Sequence, residues 1–187
     1  MERKRDIRKY VLSYRDGISV HKWEENSHLI YKKVTTHPFF LEASVIYCYV
    51  DYRNEVGTES IIRKAWELGK RVAVPKVDGE QMNFYYISDF TDLREGYRKI
   101  LEPDVRFPAN DTHALVIMPG VAFDRNRNRI GYGKGFYDKF MDKHLGFQTI
   151  AIAFECQIID AIAVDSFDYR PDVLITEEQI YDKDIAN

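Results

Sequence analysis

With 187 residues, 45% of them hydrophobic, the chain has apolar material for one substantial core and no apolar stretch of membrane-spanning length. A formal net charge of −3 excludes a molecule built as a whole to lie along nucleic acid. Cys48 and Cys156 lie far apart in apolar runs and are expected as buried free thiols in a reducing cytoplasm, and the opening MERKRDIRKY lacks the apolar segment of a secretory signal.

Residues 2–15 read as a basic amphipathic helix, with Ile7, Tyr10, Val11 and Tyr14 at helical spacing. Ser19 is placed to cap a second helix running to about Val34, and His37-Pro38 falls in the break after it. SVIYCYVDY (44–52) is a β-branched and aromatic run, the pattern of a buried strand. Thr58 is expected to cap the helix TESIIRKAWEL, which Gly69 ends. RVAVPKV (71–77) is a second strand, and Asp78-Gly79 turns it towards MNFYYI (82–87). ALVIMPG (114–120), QTIAIAF (148–154) and DVLIT (172–176) are further strands, with a helix from Gly135 through Leu145 between the first two. Strands separated by helices indicate one α/β domain over 1–187, its mostly parallel sheet covered by helices on both faces.

In such sheets ligands bind beyond the carboxyl ends of the strands. The stretch RNRIGYGKGFYD (127–138) emerges there. Gly131, Gly133 and Gly135 let successive amides turn towards one anion, Lys134 adds a mobile cation, and Arg129 a fork suited to phosphate oxygens. A flexible surface turn is the alternative, and neither the Walker spacing nor a dinucleotide fingerprint is present. Basic residues gather at 3–15 and 125–139, a distribution that favours a small polyanion over a duplex. Lys4 and Arg8, four apart with Arg5 between them, either grip a triphosphate from one helix face or form an ordinary solvated face. Asp138 and Asp168 can serve Mg²⁺, which needs only one or two carboxylates beside phosphate oxygens and water, or can be turn caps. Glu55 can meet a ligand N–H or be a plain loop acid, and Tyr132, Phe136 and Tyr137 can stack on a flat heterocycle. No HExxH, CxxC or GxSxG pattern occurs.

Four blocks carry a resemblance: KRDIR at 4–8, NEVGTESII at 54–62, MPGVAFDRNRNRIGYGKGFYD at 118–138 and FDYRPDVLIT at 167–176. In order and spacing they resemble the 5-formyltetrahydrofolate cyclo-ligases, also called 5,10-methenyltetrahydrofolate synthetases. The resemblance implies a compact Rossmann-like α/β domain. It implies an ATP- and Mg²⁺-dependent closure of 5-formyltetrahydrofolate to 5,10-methenyltetrahydrofolate, with ADP and phosphate released. Lys4, Arg5 and Arg8 would hold ATP from the first helix, together with Arg129, Gly131, Tyr132, Gly133, Lys134, Gly135, Phe136 and Tyr137 of the loop. Val50 and Glu55 would contact the folate, with Tyr132 to Phe136 also lining its pocket. Asp138 and Asp168 would sit at the magnesium site, and Arg129 and Lys134 would serve the phosphoryl chemistry. Tyr132 stands where some members carry Arg, and Phe136 where many carry Tyr. The competing readings are a relative that keeps the ATP loop but not the reaction, and a nucleotide- or RNA-binding module. The partners implied are two small molecules, with no nucleic acid and no membrane, for a monomer in the cytoplasm.

Overall fold

The computed structural model describes residues 2–96, 100–104 and 106–183, without the side chains of Glu2 and Arg3. Its α-helices among these residues are α1 (Glu2–Asp16), α2 (Val20–Thr36), α3 (Pro38–Glu42), α4 (Glu59–Glu67) and α5 (Phe136–Asp142). The strands are β1 (Val45–Cys48), β2 (Arg71–Asp78), β3 (Gln81–Ile87), β4 (Leu93–Glu95), β5 (Leu101–Pro103) and β6 (Leu115–Met118). They continue with β7 (Ala122–Asp124), β8 (Arg129–Ile130), β9 (Gln148–Ile152), β10 (Ile158–Ile159), β11 (Val173–Ile175) and β12 (Ile180–Tyr181).

The main sheet has the order β12-β11-β9-β6-β1-β2-β3. Its inner neighbours run parallel, while β3 and β12 pair antiparallel at the edges. Because side chains alternate along a strand, a run buried throughout must be covered on both faces. On one face Ile46, Cys48, Val72, Leu115, Ile117 and Ile150 pack with Ile30 and Val34 of α2, Phe40 of α3, and Ile61 and Ile62 of α4. On the other, Tyr47, Val116, Met118, Ala151 and Leu174 pack with Phe140 and Met141 of α5. The mostly parallel α/β sheet with helices on both faces is therefore what the alternation of strands and helices indicates. A smaller sheet of order β10-β7-β8 stands beyond β6, and Val11 of α1 packs on it with Val121, Ala122, Ile130 and Ile162.

Several local expectations are corrected. The apolar stripe expected on α1 is only half the buried face: Val11 is fully buried with Ile7 packed beside it, but Tyr10 and Tyr14 are 60% and 57% exposed, whereas Arg15 is 2% exposed. The helix turns cations inward because they find acceptors there, as described below. The break at His37-Pro38 opens a further helix, α3, with proline in its first turn and the His37 ring accepting from Phe39 N at 3.2 Å. Thr58 does not cap α4 through its side chain; its hydroxyl donates to Asp51 Oδ1 at 2.9 Å. Ser19 does cap α2, accepting from Lys22 N. α5 stops at Asp142 rather than 145, and the His144 ring lies 2.7 Å from the Phe140 carbonyl that another turn would use. Cys48 is buried and free as expected, but Cys156 is exposed, on a tight turn whose neighbour Gln157 faces inward. Partial burial, with Glu177 nearby, pushes the Cys156 thiol up to about 11.

Candidate active site at the carboxyl edge

After β1 the chain makes a turn that hydrogen bonds hold from several sides. Tyr49 Oη donates to Val56 O at 3.0 Å, Thr58 N donates to Asp51 Oδ1 at 2.8 Å, and Trp23 Nε1 donates to Glu55 O at 2.6 Å. This turn buries Glu55 to 7% exposure. Its Oε2 accepts from Tyr52 N at 3.0 Å and its Oε1 from the Tyr132 hydroxyl at 2.5 Å. Burial raises the Glu55 carboxyl above its ordinary range, and the Tyr132 and Tyr52 hydrogen bonds and the Arg15 charge work against that rise.

The glycine stretch is delivered by the β7–β8 hairpin. Asp124, 1% exposed, accepts at Oδ1 from Asn126 N and Asn128 N, and at Oδ2 from Asn128 Nδ2 and Ile162 N. Four donors on one buried carboxylate fix the hairpin and so the direction in which Arg129 leaves it. Arg129 is 6% exposed, its Nη2 meets Asp138 Oδ1 at 2.6 Å, and its guanidinium lies 5.8 Å from the Tyr137 ring centre. Gly120 makes room for this packing, since a Cβ there would stand 2.3 Å from the Phe123 ring. Gly133 has φ +100°, a conformation glycine alone adopts readily, and the Arg8 guanidinium lies against it.

α1 closes the third side through residues spaced along one stripe. Lys4 Nζ reaches Asp165 Oδ2 at 2.8 Å and Asp168 Oδ2 at 2.7 Å. Partial burial works against the Lys4 ammonium, but these two carboxylates hold its pKa above the ordinary value. Arg8 Nε donates to Gly131 O at 2.7 Å, and Arg15 Nη2 donates to Tyr132 Oη at 3.0 Å.

The structure thus gathers Lys4, Arg8, Arg129, Gly131, Tyr132, Gly133, Tyr137, Glu55, Asp138 and Asp168 into linked contacts. Phe136 and Val50 are half-buried and pack against the two faces of the core. Gly135 has φ 67° and precedes α5, whose seven residues are too short to act as an anion-directing helix. Lys134 is exposed and makes no ion pair among the described residues. Arg5 lies on the outer side of α1, its side chain 71% exposed beside Asp6.

Two groups that sequence reasoning passed over stand in the same network. Arg15 continues the spacing Lys4, Arg8, Val11, Arg15, and the buried Val11 in that series marks the stripe as inward-facing. Asp165 shares Lys4 with Asp168. Of two neighbouring clefts, one of about 400 Å³ is lined by Ser13, Tyr14, Gly17, Ile18 and Cys156. The other, about 280 Å³, has Trp23, Ser27, Asp51 and Gly57 among its walls, and residues 131–135 line neither.

Mg²⁺ takes one or two carboxylates beside phosphate oxygens and water. Tyr169 N donates to Asp138 Oδ1 at 3.1 Å, which makes Asp138 and Asp168 neighbours in space. Asp138 Oδ2 and Asp168 Oδ1 carry no hydrogen bond among the described residues. No group of three or more His, Cys, Asp or Glu that could hold a metal occurs among those residues. The donor set therefore fits an ion that also takes phosphate oxygens and water, not an all-protein cage.

Fold and site together define a class: an α/β protein in which a glycine loop, inward-turned cations and one buried carboxylate meet at the carboxyl edge of a parallel sheet. A profile of the 5-formyltetrahydrofolate cyclo-ligase family matches residues 1–177. The chain is 28% identical over 192 aligned residues to a probable 5-formyltetrahydrofolate cyclo-ligase of Caenorhabditis elegans, covering 94% of this chain and 93% of that one. It is also 28% identical to the 5-formyltetrahydrofolate cyclo-ligase of Mus musculus, with 94% of each chain covered. The solved 5,10-methenyltetrahydrofolate synthetase of Aquifex aeolicus superposes with a TM-score of 0.85 at 27% identity, over 96% of this chain and 92% of that one. The chain belongs to the 5-formyltetrahydrofolate cyclo-ligase family and is an enzyme of it. No helix among the described residues is long and apolar enough to cross a membrane.

Proposed function

We propose that this enzyme closes 5-formyltetrahydrofolate to 5,10-methenyltetrahydrofolate at the expense of ATP, with Mg²⁺, releasing ADP and phosphate. The observation that carries the reading is the Tyr132–Glu55 hydrogen bond, which joins the glycine loop to a buried carboxylate at the sheet's carboxyl edge. Phosphate chemistry on one side of that contact and recognition of a heterocycle on the other is what the reaction needs.

A formyl amide is a weak electrophile with a poor leaving group. In the proposed sequence its oxygen attacks the γ-phosphorus and the bond to ADP breaks. N10 then adds to the activated carbon, phosphate leaves with the former formyl oxygen, and N10 gives up its proton. The protein's part is alignment and charge stabilisation, with no covalent intermediate on the chain. Lys134, exposed at the loop, contacts the transferring phosphoryl group. Arg129, buried beneath it, holds Asp138 and places a fixed positive charge under the loop. Lys4 and Arg8 supply further cations from α1, and the Glu55 carboxylate accepts from an N–H of the folate ring. Asp138 and Asp168 would hold Mg²⁺, which supplies neutralisation of phosphate charge when bound. The enzyme works as a one-domain monomer in the cytoplasm, a reducing compartment that suits the free thiols Cys48 and Cys156.

Purified protein mixed with ATP, Mg²⁺ and 5-formyltetrahydrofolate should generate the methenyl chromophore, and the ATP-free mixture should not. Absence of the chromophore in the complete mixture, with a folded protein, would refute the reading.

A further inference from the structure

Arg15 is 2% exposed near the end of α1, and no carboxylate among the described residues makes a direct ion pair with it. Its Nη2 donates to the Tyr132 hydroxyl at 3.0 Å, and its Nε has no partner. The same hydroxyl spends its proton on Glu55 Oε1 at 2.5 Å. A guanidinium withdrawn from water onto a neutral hydroxyl is unfavourable by several kcal/mol unless a negative charge answers it. Here that charge is Glu55, one hydroxyl away. The titratable groups facing Glu55 are Arg15 from α1, Tyr132 from the glycine loop, Tyr137 from α5, and Tyr49 and Asp51 from its own turn. Arg15 is the cation among them.

We propose that Arg15 is a positioning residue of the folate pocket: acting through the Tyr132 hydroxyl, it fixes the Glu55 side chain and keeps it a carboxylate able to accept from a substrate N–H. The proposal rests on the assignment of Glu55 to the folate given above. It makes α1 serve both halves of the site. Lys4 and Arg8 address the phosphate side, and Arg15, further along the same stripe, addresses the carboxylate side. Burial favours the neutral carboxyl, and Arg15 opposes that preference. Its removal must therefore shift Glu55 titration to higher pH, so that the carboxylate is lost sooner as pH falls.

The test uses Arg15→Gln, which keeps a donor for Tyr132 but removes the charge, and Arg15→Lys, which keeps the charge. Carboxyl NMR of the substrate-free protein follows Glu55 directly. Arg15→Gln should raise its titration midpoint by about one pH unit or more, the scale of a nearby opposite charge, and Arg15→Lys should restore most of that shift. In the assay at neutral pH, Arg15→Gln should raise folate KM about tenfold, equivalent to roughly 1.4 kcal/mol, and leave the KM for ATP unchanged. An unmoved Glu55 midpoint, or equal rises in both KM values, overturns the proposal. Should Arg15→Gln not fold, Arg15→Met removes the same charge while filling the same buried space, and an unmoved midpoint there overturns the proposal equally. A shifted midpoint in a protein that does not bind 5-formyltetrahydrofolate overturns the folate assignment alone, because the Arg15–Glu55 coupling is read without substrate.

Discussion

As a carboxylate Glu55 accepts a hydrogen bond at each oxygen, and an amide in its place offers one acceptor oxygen for the two donors, Tyr52 N and the Tyr132 hydroxyl. Glu55→Gln is therefore expected to raise folate KM about tenfold to a hundredfold, with a smaller effect on kcat, because a buried donor left unmatched costs about 1–3 kcal/mol. Lys134 is the opposite case. It is exposed and unpaired among the described residues, so Lys134→Ala should leave the melting temperature unchanged. Its loss should lower kcat on the order of a hundredfold, the usual consequence of removing one donor to developing charge. Steady-state kinetics on the two variants separate these roles, and small, equal effects from both would sink the division of labour. At Gly133 the obstacle to a side chain is the backbone. A Cβ would meet the Arg8 guanidinium at an ordinary 3.5 Å, but φ is +100°. Gly133→Ala should destabilise the fold by about 1–3 kcal/mol in denaturant titration and raise the KM for ATP more than that for folate.

The β7–β8 hairpin shows how an element too short to be read from periodicity can set a site. Asp124 accepts from the main chain at Asn126, Asn128 and Ile162, so Asp124→Ala would leave several donors without an acceptor. A loss of about 2–4 kcal/mol is expected in urea unfolding, milder for Asp124→Asn, which keeps one acceptor oxygen. A cost near zero would mean that water or a relaxed turn replaces the carboxylate. Elements of this kind mark where sequence reasoning stopped. The inner strands were legible because runs such as VIYC and LVIM are apolar at every position, which only a sheet covered on both faces accommodates. The glycine loop and its cations were legible because their composition is costly anywhere but beside an anion or a tight turn. β8, two residues long with a buried arginine, has no strand pattern. On α1 hydrophobic periodicity finds the inward Ile7 and Val11, but it also ranks the exposed Tyr10 and Tyr14 above Lys4, Arg8 and Arg15. What decides is the supply of acceptors on other elements: Asp165 and Asp168, the Gly131 carbonyl and the Tyr132 hydroxyl. Those partners are more than a hundred positions away, beyond the reach of any local pattern. The Thr58–Asp51 pair is different in kind: it lies seven residues apart and closes a single turn.

At the scale of the whole molecule, the proposed nucleotide site is assembled from both ends of the chain. α1 contributes Lys4 and Arg8, the middle contributes residues 129–138, and the segment before β11 contributes Asp165 and Asp168. These groups pair with one another, Lys4 with Asp168 and Arg129 with Asp138. Binding Mg²⁺ and ATP would exchange those partners, with phosphate facing the cations and metal facing the carboxylates, so that a ligand bridges segments the sheet alone does not join. A ligand that binds only the folded state at a hundred times its Kd stabilises by about 2.7 kcal/mol. For a domain of this size each kcal/mol raises Tm by about 2–4 °C, so saturating ATP with Mg²⁺ should raise Tm by roughly 5–10 °C in a thermal melt. Lys4→Ala should lose a large share of that rise, because it removes one of the two cations that α1 brings to the site and leaves Asp165 and Asp168 facing each other. ATP with a chelator should give a clearly smaller rise if Asp138 and Asp168 face a metal. The same rise with and without Mg²⁺ would detach the two aspartates from the metal, and no rise from ATP under either condition would leave the inward cations of α1 as fold contacts alone.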